Sequence, residues 1–274
     1  MSPLSRTPRQ ASHAVVQSLS AAARQRAGLR QTAHRPWPLP DRRWVMGQTW
    51  KQLLFMHWAL PAEVLRPVVP AELPIDTFDG KAWIGVTPFE VVGVRLRGTP
   101  PVPWLSHFPE LNVRTYTTLD GRPGIWFFSL DAARGAAVAA ARRLYRLPYF
   151  HAQMAVRRHG ERTLYRSAHA SIDRPPAVLD MEYAPTGPRF TALPGTLEHF
   201  LVERYCLYAL DDRQRVHRAD IHHPPWPLQP AEASIRRNTM TAPLGIELSP
   251  ERPLLHYAHR QDVVIWPLEP TGAT

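Results

Sequence analysis

FPELNVRTYTTLDGRPGIWFFSLDA, residues 108 to 132, places two β-rich segments on either side of the turn-forming sequence LDGRPG. Such an arrangement is typical of a β-hairpin. Side chains alternate between the two faces of a strand. In the first segment, one face would therefore carry Leu111, Val113 and Thr115, and the other would carry Glu110, Asn112, Arg114 and Tyr116.

The second segment of this hairpin, GIWFFSLD, is apolar on both faces. Ile125, Phe127 and Ser129 would share one face, and a strand that is apolar on both sides is buried on both sides. The polar face of the first strand then borders an enclosed space rather than open water. Two interpretations stay open: a small-molecule pocket, or a structural ion pair of Arg114 with Glu110 or Asp131.

The rest of the chain has the pattern of an α+β protein with a mostly antiparallel sheet and two or three short helices. Thirty prolines against fourteen glycines favour short strands and irregular connections. A second hairpin is predicted around HGE at 159–161. Helices are predicted after Asp131, which would act as an N-cap, and after Thr196.

Three regions are expected along the chain. Residues 1–43 form an Arg/Ala-rich extension, which is interpreted as flexible. A single β-rich domain covers 44–268, and a short C-terminal tail covers 269–274. The first 40 residues contain six arginines and no acidic residue. A bacterial extension, an organelle transit peptide and a misplaced start codon are each compatible with that composition.

Charge and composition limit the classes of partner. The formal net charge is +10, with 31 arginines against two lysines, but the arginines are scattered. We therefore expect no specific nucleic-acid partner, although RNA or an anionic surface stays open for the N-terminal extension. The single cysteine favours the cytoplasm, and no apolar run is long enough for a membrane span. Homo-oligomerisation is left open.

We expect neither a metal nor a cofactor. Four histidines could suggest a metal, but no acidic or cysteine ligand accompanies them at metal spacing: His222, His223, His256 and His259. A serine hydrolase built on Ser129, Asp131 and His151 is disfavoured, because no Gly-x-Ser-x-Gly elbow is present.

Five segments together resemble a bacterial family called domain of unknown function 2071: DTFDGKAWIGVTPF, FPELNVRTY, GIWFFSLDA, LPYFHAQM and LVERYCLY. The resemblance runs from about residue 44 to 267. The family in turn resembles acetoacetate decarboxylase, which implies a barrel-like sheet around a deep cavity. This implication supports the pocket interpretation.

The same resemblance implies a difference in chemistry. Acetoacetate decarboxylases have a strand glutamate and a downstream Pro-Lys-Lys motif whose first lysine forms a Schiff base. Glu110 and Pro148 match the glutamate and the proline, but Tyr149 and Phe150 replace the lysines. Neither side chain can form an imine, so Schiff-base chemistry is not expected.

Two functional hypotheses follow. The first is an enzyme or binding protein for a small oxygenated, anionic metabolite, with Glu110 and Tyr149 as catalytic residues. The alternative is a non-catalytic ligand-binding or structural barrel. The ligand-binding residues expected in the first case are Asn112, Arg114, Tyr116, Phe127 and Ser129.

Overall fold

The structure, a computed structural model, describes residues 21–101, 106–135, 144–171 and 174–272. Thirteen β-strands lie in this part of the chain. Their bounds are β1 Met46–Leu60, β2 Ala82–Leu96, β3 His107–Leu119, β4 Arg122–Ala132, β5 Tyr149–His151, β6 Gln153–His159, β7 Arg162–Ser171, β8 Arg174–Pro185, β9 Cys206–Leu210, β10 Val216–His222, β11 Leu228–Asn238, β12 Leu254–Ile265 and β13 Glu269–Pro270.

The helices are short. Residues 21–28 are helical, and two further α-helices span Ala62–Leu65 and Leu197–Val202. The predicted N-cap of the last helix is present, because the Thr196 hydroxyl accepts a hydrogen bond from the His199 amide at 3.3 Å. In the described residues, none of the helices has the length and apolarity that a membrane crossing requires.

Both predicted hairpins are present. β3 and β4 pair antiparallel up to Leu119 and Arg122. The two residues between them, Asp120 and Gly121, have φ values of 52° and 68°, as a two-residue turn of this hand requires. β6 and β7 pair in the same way around the HGE sequence. Local alternation and turn residues were therefore sufficient to predict both pairings.

The sheet closes into a ring within the described residues. Its strands follow the order β10, β9, β4, β3, β2, β1 and β12, and β12 pairs back with β10. Nearly all neighbours are antiparallel; β4 pairs parallel with β5 and with β9. Beyond β12 the sheet continues through β11, β8, β7 and β6 as a second layer. The predicted class, α+β with a mostly antiparallel sheet, is confirmed.

Two apolar cores result from this layering. The inner core lies inside the ring and includes Phe55, Phe89 and Leu130. The outer core lies between the ring and the second layer and includes Leu111 and Tyr165. β4 contributes to both cores, as its apolar faces predicted.

The N-terminal extension differs from its prediction over the residues that the structure describes. Trp37 Nε1 donates a hydrogen bond to Asp220 at 2.8 Å, and the Arg35 guanidinium donates to the Ile221 carbonyl at 2.7 Å. Arg24 forms an ion pair with Asp262 at 2.7 Å. Residues 21–43 are thus attached to the sheet by polar contacts, which a composition-based prediction does not detect.

Two other predictions need correction. Asp131 lies within β4, where its carboxylate accepts a hydrogen bond from Ser167 at 2.7 Å, so it does not cap a helix. Residues 136–143 of the helix predicted after it lie outside the described residues. At the C-terminus, Glu269 and Pro270 form β13 with β10, so the tail predicted at 269–274 begins with a paired strand.

Candidate functional site

The cavity lies inside the ring and has a volume of about 150 Å³. β3 contributes Glu110, Asn112 and Arg114, which are alternate residues and therefore point to one face. Phe127 of β4 and Tyr149 of β5 also line it. The structure thus brings together five of the seven predicted site residues.

Glu110 and Tyr149 form a hydrogen-bonded pair. The Tyr149 hydroxyl donates to the Glu110 carboxyl at 3.1 Å, and both side chains are buried. On one side of β4, β5 pairs parallel and places Tyr149 opposite Leu130. On the other side, β3 places Glu110 opposite Ala132, two residues further along β4. The pair therefore depends on three adjacent strands.

The cavity changes the proton affinity of both groups. Burial raises the pKa of Glu110 to about 8, although the hydrogen bond from Tyr149 opposes the shift. Burial and the neighbouring Glu110 raise the pKa of Tyr149 well above its ordinary value. At neutral pH the site therefore contains a largely protonated carboxyl group beside a protonated phenol.

Arg114 lies at the other end of the polar row. Its guanidinium carbon is 5.0 Å from the ring centroid of Phe55, and its Nε is buried without a hydrogen-bond partner among the described residues. Neither predicted ion pair of Arg114, with Glu110 or with Asp131, is present in that part of the chain. Asp131 instead lies 2.7 Å from the His169 ring nitrogen.

Tyr116 shares the face of Glu110 but does not line the cavity. Its hydroxyl is 2.6 Å from His57 Nε2, and its ring packs 5.5 Å from the ring of Phe200. Burial raises the pKa of Tyr116. The Arg114 and Arg204 guanidinium groups lie over its ring at 5.7 Å and 4.9 Å, so Tyr116 packs against two cavity residues without lining the cavity itself.

Ser129 also lies outside the cavity, because β4 contains a β-bulge. Arg114 pairs with Phe127 and Val113 pairs with Ser129, which leaves Phe128 as an extra residue. The bulge reverses the alternation: Phe127 and Leu130 line the cavity, whereas Ser129 lies with Phe128 against a separate, much smaller space. The prediction that Phe127 and Ser129 share one face was wrong.

Three further titratable residues line the cavity and were not predicted as site residues. Arg204 lines the wall and is paired with Asp76 at 2.7 Å; it belongs to the LVERY segment, which was the only available signal. His223 stacks on Tyr205 at 4.7 Å, and burial lowers its pKa. The third residue, Tyr145, had no sequence signal of its own.

The alternative chemistries considered from sequence gain no support from these positions. His151 is exposed, whereas the buried Asp131 contacts His169. No group of three or more potential metal ligands occurs among the described residues. Neither lysine, Lys51 or Lys81, lines the cavity.

The chain matches the family DUF2071, described as an uncharacterized conserved protein, over residues 47–262. It is 46% identical to the uncharacterized protein YqjF of Bacillus subtilis over 230 residues, which cover 84% of this chain and 94% of that protein.

Two solved structures show the fold at low sequence identity. The acetoacetate decarboxylase of Legionella pneumophila has a TM-score of 0.56 and 11% identity, covering 87% of this chain and 93% of that one. The enduracididine biosynthesis enzyme MppR, complexed with pyruvate, has a TM-score of 0.56 and 12% identity, covering 88% and 94%. The ring around the cavity is thus an acetoacetate decarboxylase-like fold, and the chain belongs to the DUF2071 family.

Proposed function

We propose that the cavity binds a small oxygenated molecule and that Glu110 and Tyr149 exchange a proton or a hydrogen bond with it. The observation that carries the proposal is the hydrogen-bonded carboxyl–phenol pair in an otherwise largely apolar cavity. Small-molecule sites combine apolar walls with a few convergent polar groups. Groups with strongly shifted pKa values are concentrated at such sites.

The pair is suited to general acid chemistry. With a pKa of about 8, Glu110 is mostly protonated at pH 7 and can donate to a ligand oxygen. Tyr149 stays protonated, and its hydroxyl donates a hydrogen bond to Oε2 of the Glu110 carboxyl group. A carbonyl or hydroxyl oxygen of the ligand would then accept the Glu110 proton, and negative charge that develops on that oxygen would be stabilised.

The chemistry proceeds without an imine. The positions matched to the two decarboxylase lysines are Tyr149 and Phe150, and the Phe150 ring stacks on His169 at 4.6 Å instead of facing the cavity. A Schiff base requires an amine beside the ligand carbonyl. Proton transfer and electrostatic stabilisation are the roles that the cavity residues can fill.

A second candidate is a ligand-binding protein without turnover. The loss of both lysine positions supports it, because the fold can retain its cavity after losing a nucleophile. Binding without conversion of the bound compound would favour this candidate. Conversion that depends on Glu110 would favour the enzyme.

A metabolite screen by thermal shift tests the proposal on the full chain. We expect at least one small oxygenated compound to raise the melting temperature of the wild type, and to do so much less in Glu110→Gln and Tyr149→Phe. Glu90→Gln is the matched control, since Glu90 is a buried strand carboxylate that does not line the cavity. Equal shifts in all variants would contradict the assigned roles.

Compounds found in the screen are then followed for turnover by NMR. If Glu110 acts as a general acid, the rate should decline as the pH rises through about 8, because the carboxyl group loses its proton there. A rate that is independent of pH over this range, or unchanged in Glu110→Gln, would remove Glu110 from the chemical step.

A further inference from the structure

The cavity has two separate polar ends. Glu110, with Tyr149, forms one end, and Arg114 forms the other, four residues further along β3. Four residues of an extended strand span about 13 Å. Since both side chains leave the same face, their polar groups lie well apart, in agreement with the absence of an ion pair between them among the described residues.

The cationic end lacks a counterion. Two other buried arginines are paired with a carboxylate: Arg35 lies 3.5 Å from Asp220, and Arg204 lies 2.7 Å from Asp76. A third, Arg95, donates to the side-chain oxygen of Gln25. Arg114, only 6% exposed, has no such partner in the described part of the chain, and its Nε makes no hydrogen bond there. A buried guanidinium without a counterion is costly, so the site favours an anion.

A carboxylate fits this end best. The planar guanidinium can bind both carboxylate oxygens at once. Asn112, which is 5% exposed and lies between the two ends on the same face, has an amide oxygen without a partner among the described residues. An amide oxygen accepts hydrogen bonds, so a ligand that carries a hydroxyl group can donate to it.

Apart from Arg204 and His223, which also line the cavity, the walls are largely apolar. They are formed mainly by Leu53, Phe89, Phe108, Ile125, Leu130 and Leu207. The cavity reaches the surface beside Leu144, which lines it and is 61% exposed. A volume of about 150 Å³ holds on the order of ten water-sized groups. The ligand therefore has an apolar chain and about ten heavy atoms.

We infer that the ligand is a monocarboxylic acid whose carboxylate binds Arg114 and whose second oxygen, a carbonyl or hydroxyl several carbons away along an apolar chain, binds Glu110 and Tyr149. This inference rests on the proposed function and adds the substrate class. Short 2-oxo and 3-oxo acids hold their two oxygen groups too close together to reach both ends. The cavity thus favours longer acids over acetoacetate-like ones.

Calorimetric titration of the full chain with four probes tests the inference. 6-Oxoheptanoate has both groups, heptanoate lacks the ketone, 2-heptanone lacks the carboxylate, and acetoacetate has both groups close together. We expect 6-oxoheptanoate to bind most tightly. 2-Heptanone should bind about 10- to 150-fold more weakly, the range for a lost hydrogen bond to a charged group, and heptanoate about 2- to 12-fold more weakly, the range for a lost hydrogen bond between neutral groups.

Variants assign the two ends separately. In Arg114→Met, 6-oxoheptanoate should bind no more tightly than 2-heptanone. In Glu110→Gln, the difference in affinity between 6-oxoheptanoate and heptanoate should become smaller. Arg158→Met is the matched control, because Arg158 pairs with Glu90 outside the cavity. If Arg114→Met fails to fold by circular dichroism, Arg114→Lys keeps the charge but loses the planar fork, and it should still weaken 6-oxoheptanoate.

The outcomes separate the two proposals. If acetoacetate binds as tightly as 6-oxoheptanoate, or if Arg114→Met leaves the affinity for 6-oxoheptanoate unchanged, the substrate class is wrong while the proposed function stands. If none of the four probes binds, the substrate class is also wrong. The proposed function then fails only if the metabolite screen finds no compound whose binding depends on Glu110.

Discussion

The carboxyl group of Glu110 links protonation to folding across the neutral pH range. Its pKa is about 8 in the folded chain, above the ordinary value of 4.5. The folded state therefore binds the proton more tightly than the unfolded state does. The stability that this linkage contributes is fully present below pH 4.5 and is lost as the pH rises to about 8.

Glu110→Gln should remove this dependence. We expect the free energy of unfolding of the wild type to fall, relative to that of the variant, by on the order of 4 kcal/mol between pH 4.5 and pH 8. Denaturant titrations of both proteins at several pH values measure the difference. Buried histidines such as His57, whose pKa is lowered, act in the opposite direction, but they act equally in both proteins. Parallel curves would show that Glu110 is not protonated in the fold.

At the scale of elements, the hairpin was predictable and its bulge was not. Alternation in 108–116 and the Asp-Gly turn depend on neighbouring residues, which the sequence displays directly. The extra residue in β4 is Phe128, and it follows another phenylalanine, so both registers look equally apolar. This ambiguity explains why Ser129 was assigned to the cavity. The regular alternation of β3 explains why Glu110, Asn112 and Arg114 were placed together.

The N-terminal segment was assigned to a flexible extension for a related reason. Its contacts with the sheet are single polar bonds, such as that of Trp37 with Asp220. Polar bonds of this kind have no periodicity in sequence. Tyr149 was easier to place, because the resemblance to a known motif located it beside Glu110.

Arg35→Met tests whether the segment stabilises the fold. Arg35 is buried and donates to the Ile221 carbonyl, and it lies over the Tyr205 ring at 4.8 Å. We expect a loss of about 1.5–3 kcal/mol in the free energy of unfolding, the range for a hydrogen bond to a charged group. Arg30→Met, at an exposed position of the same segment, should cost little. Equal effects would show that docking does not depend on Arg35.

At the scale of the whole molecule, the acetoacetate decarboxylase-like fold encloses a cavity that neither lysine of the chain lines. Glu110 lines the cavity inside the closed ring, whereas Lys51 and Lys81 do not line it. Fold similarity therefore does not transfer the reaction. The cavity contains the hydrogen-bonded pair of Glu110 and Tyr149, and it also contains Arg114.

Incubation with acetoacetate and borohydride, followed by intact-mass measurement, tests this absence of imine chemistry. We expect the mass of the chain to stay unchanged, because reduction traps only a ketone bound to an amine as an imine. A stable adduct that maps to Lys51 or Lys81 would contradict this expectation. The Legionella decarboxylase, treated in parallel, is the natural comparison.

The closure of the ring has a kinetic consequence. β10 and β12 share only two residue pairs, Ile221 with Ile265 and His222 with Val264, whereas β1 and β12 share eleven. β4 and β9 also share two residue pairs. Local opening begins where the fewest backbone bonds must break, so amide exchange should be fastest at these two contacts of the ring. Ile221 and Ile265 both line the cavity, and Arg35 of the N-terminal segment bonds to the Ile221 carbonyl. We therefore expect loss of this bond, as in Arg35→Met, to speed amide exchange where β10 meets β12.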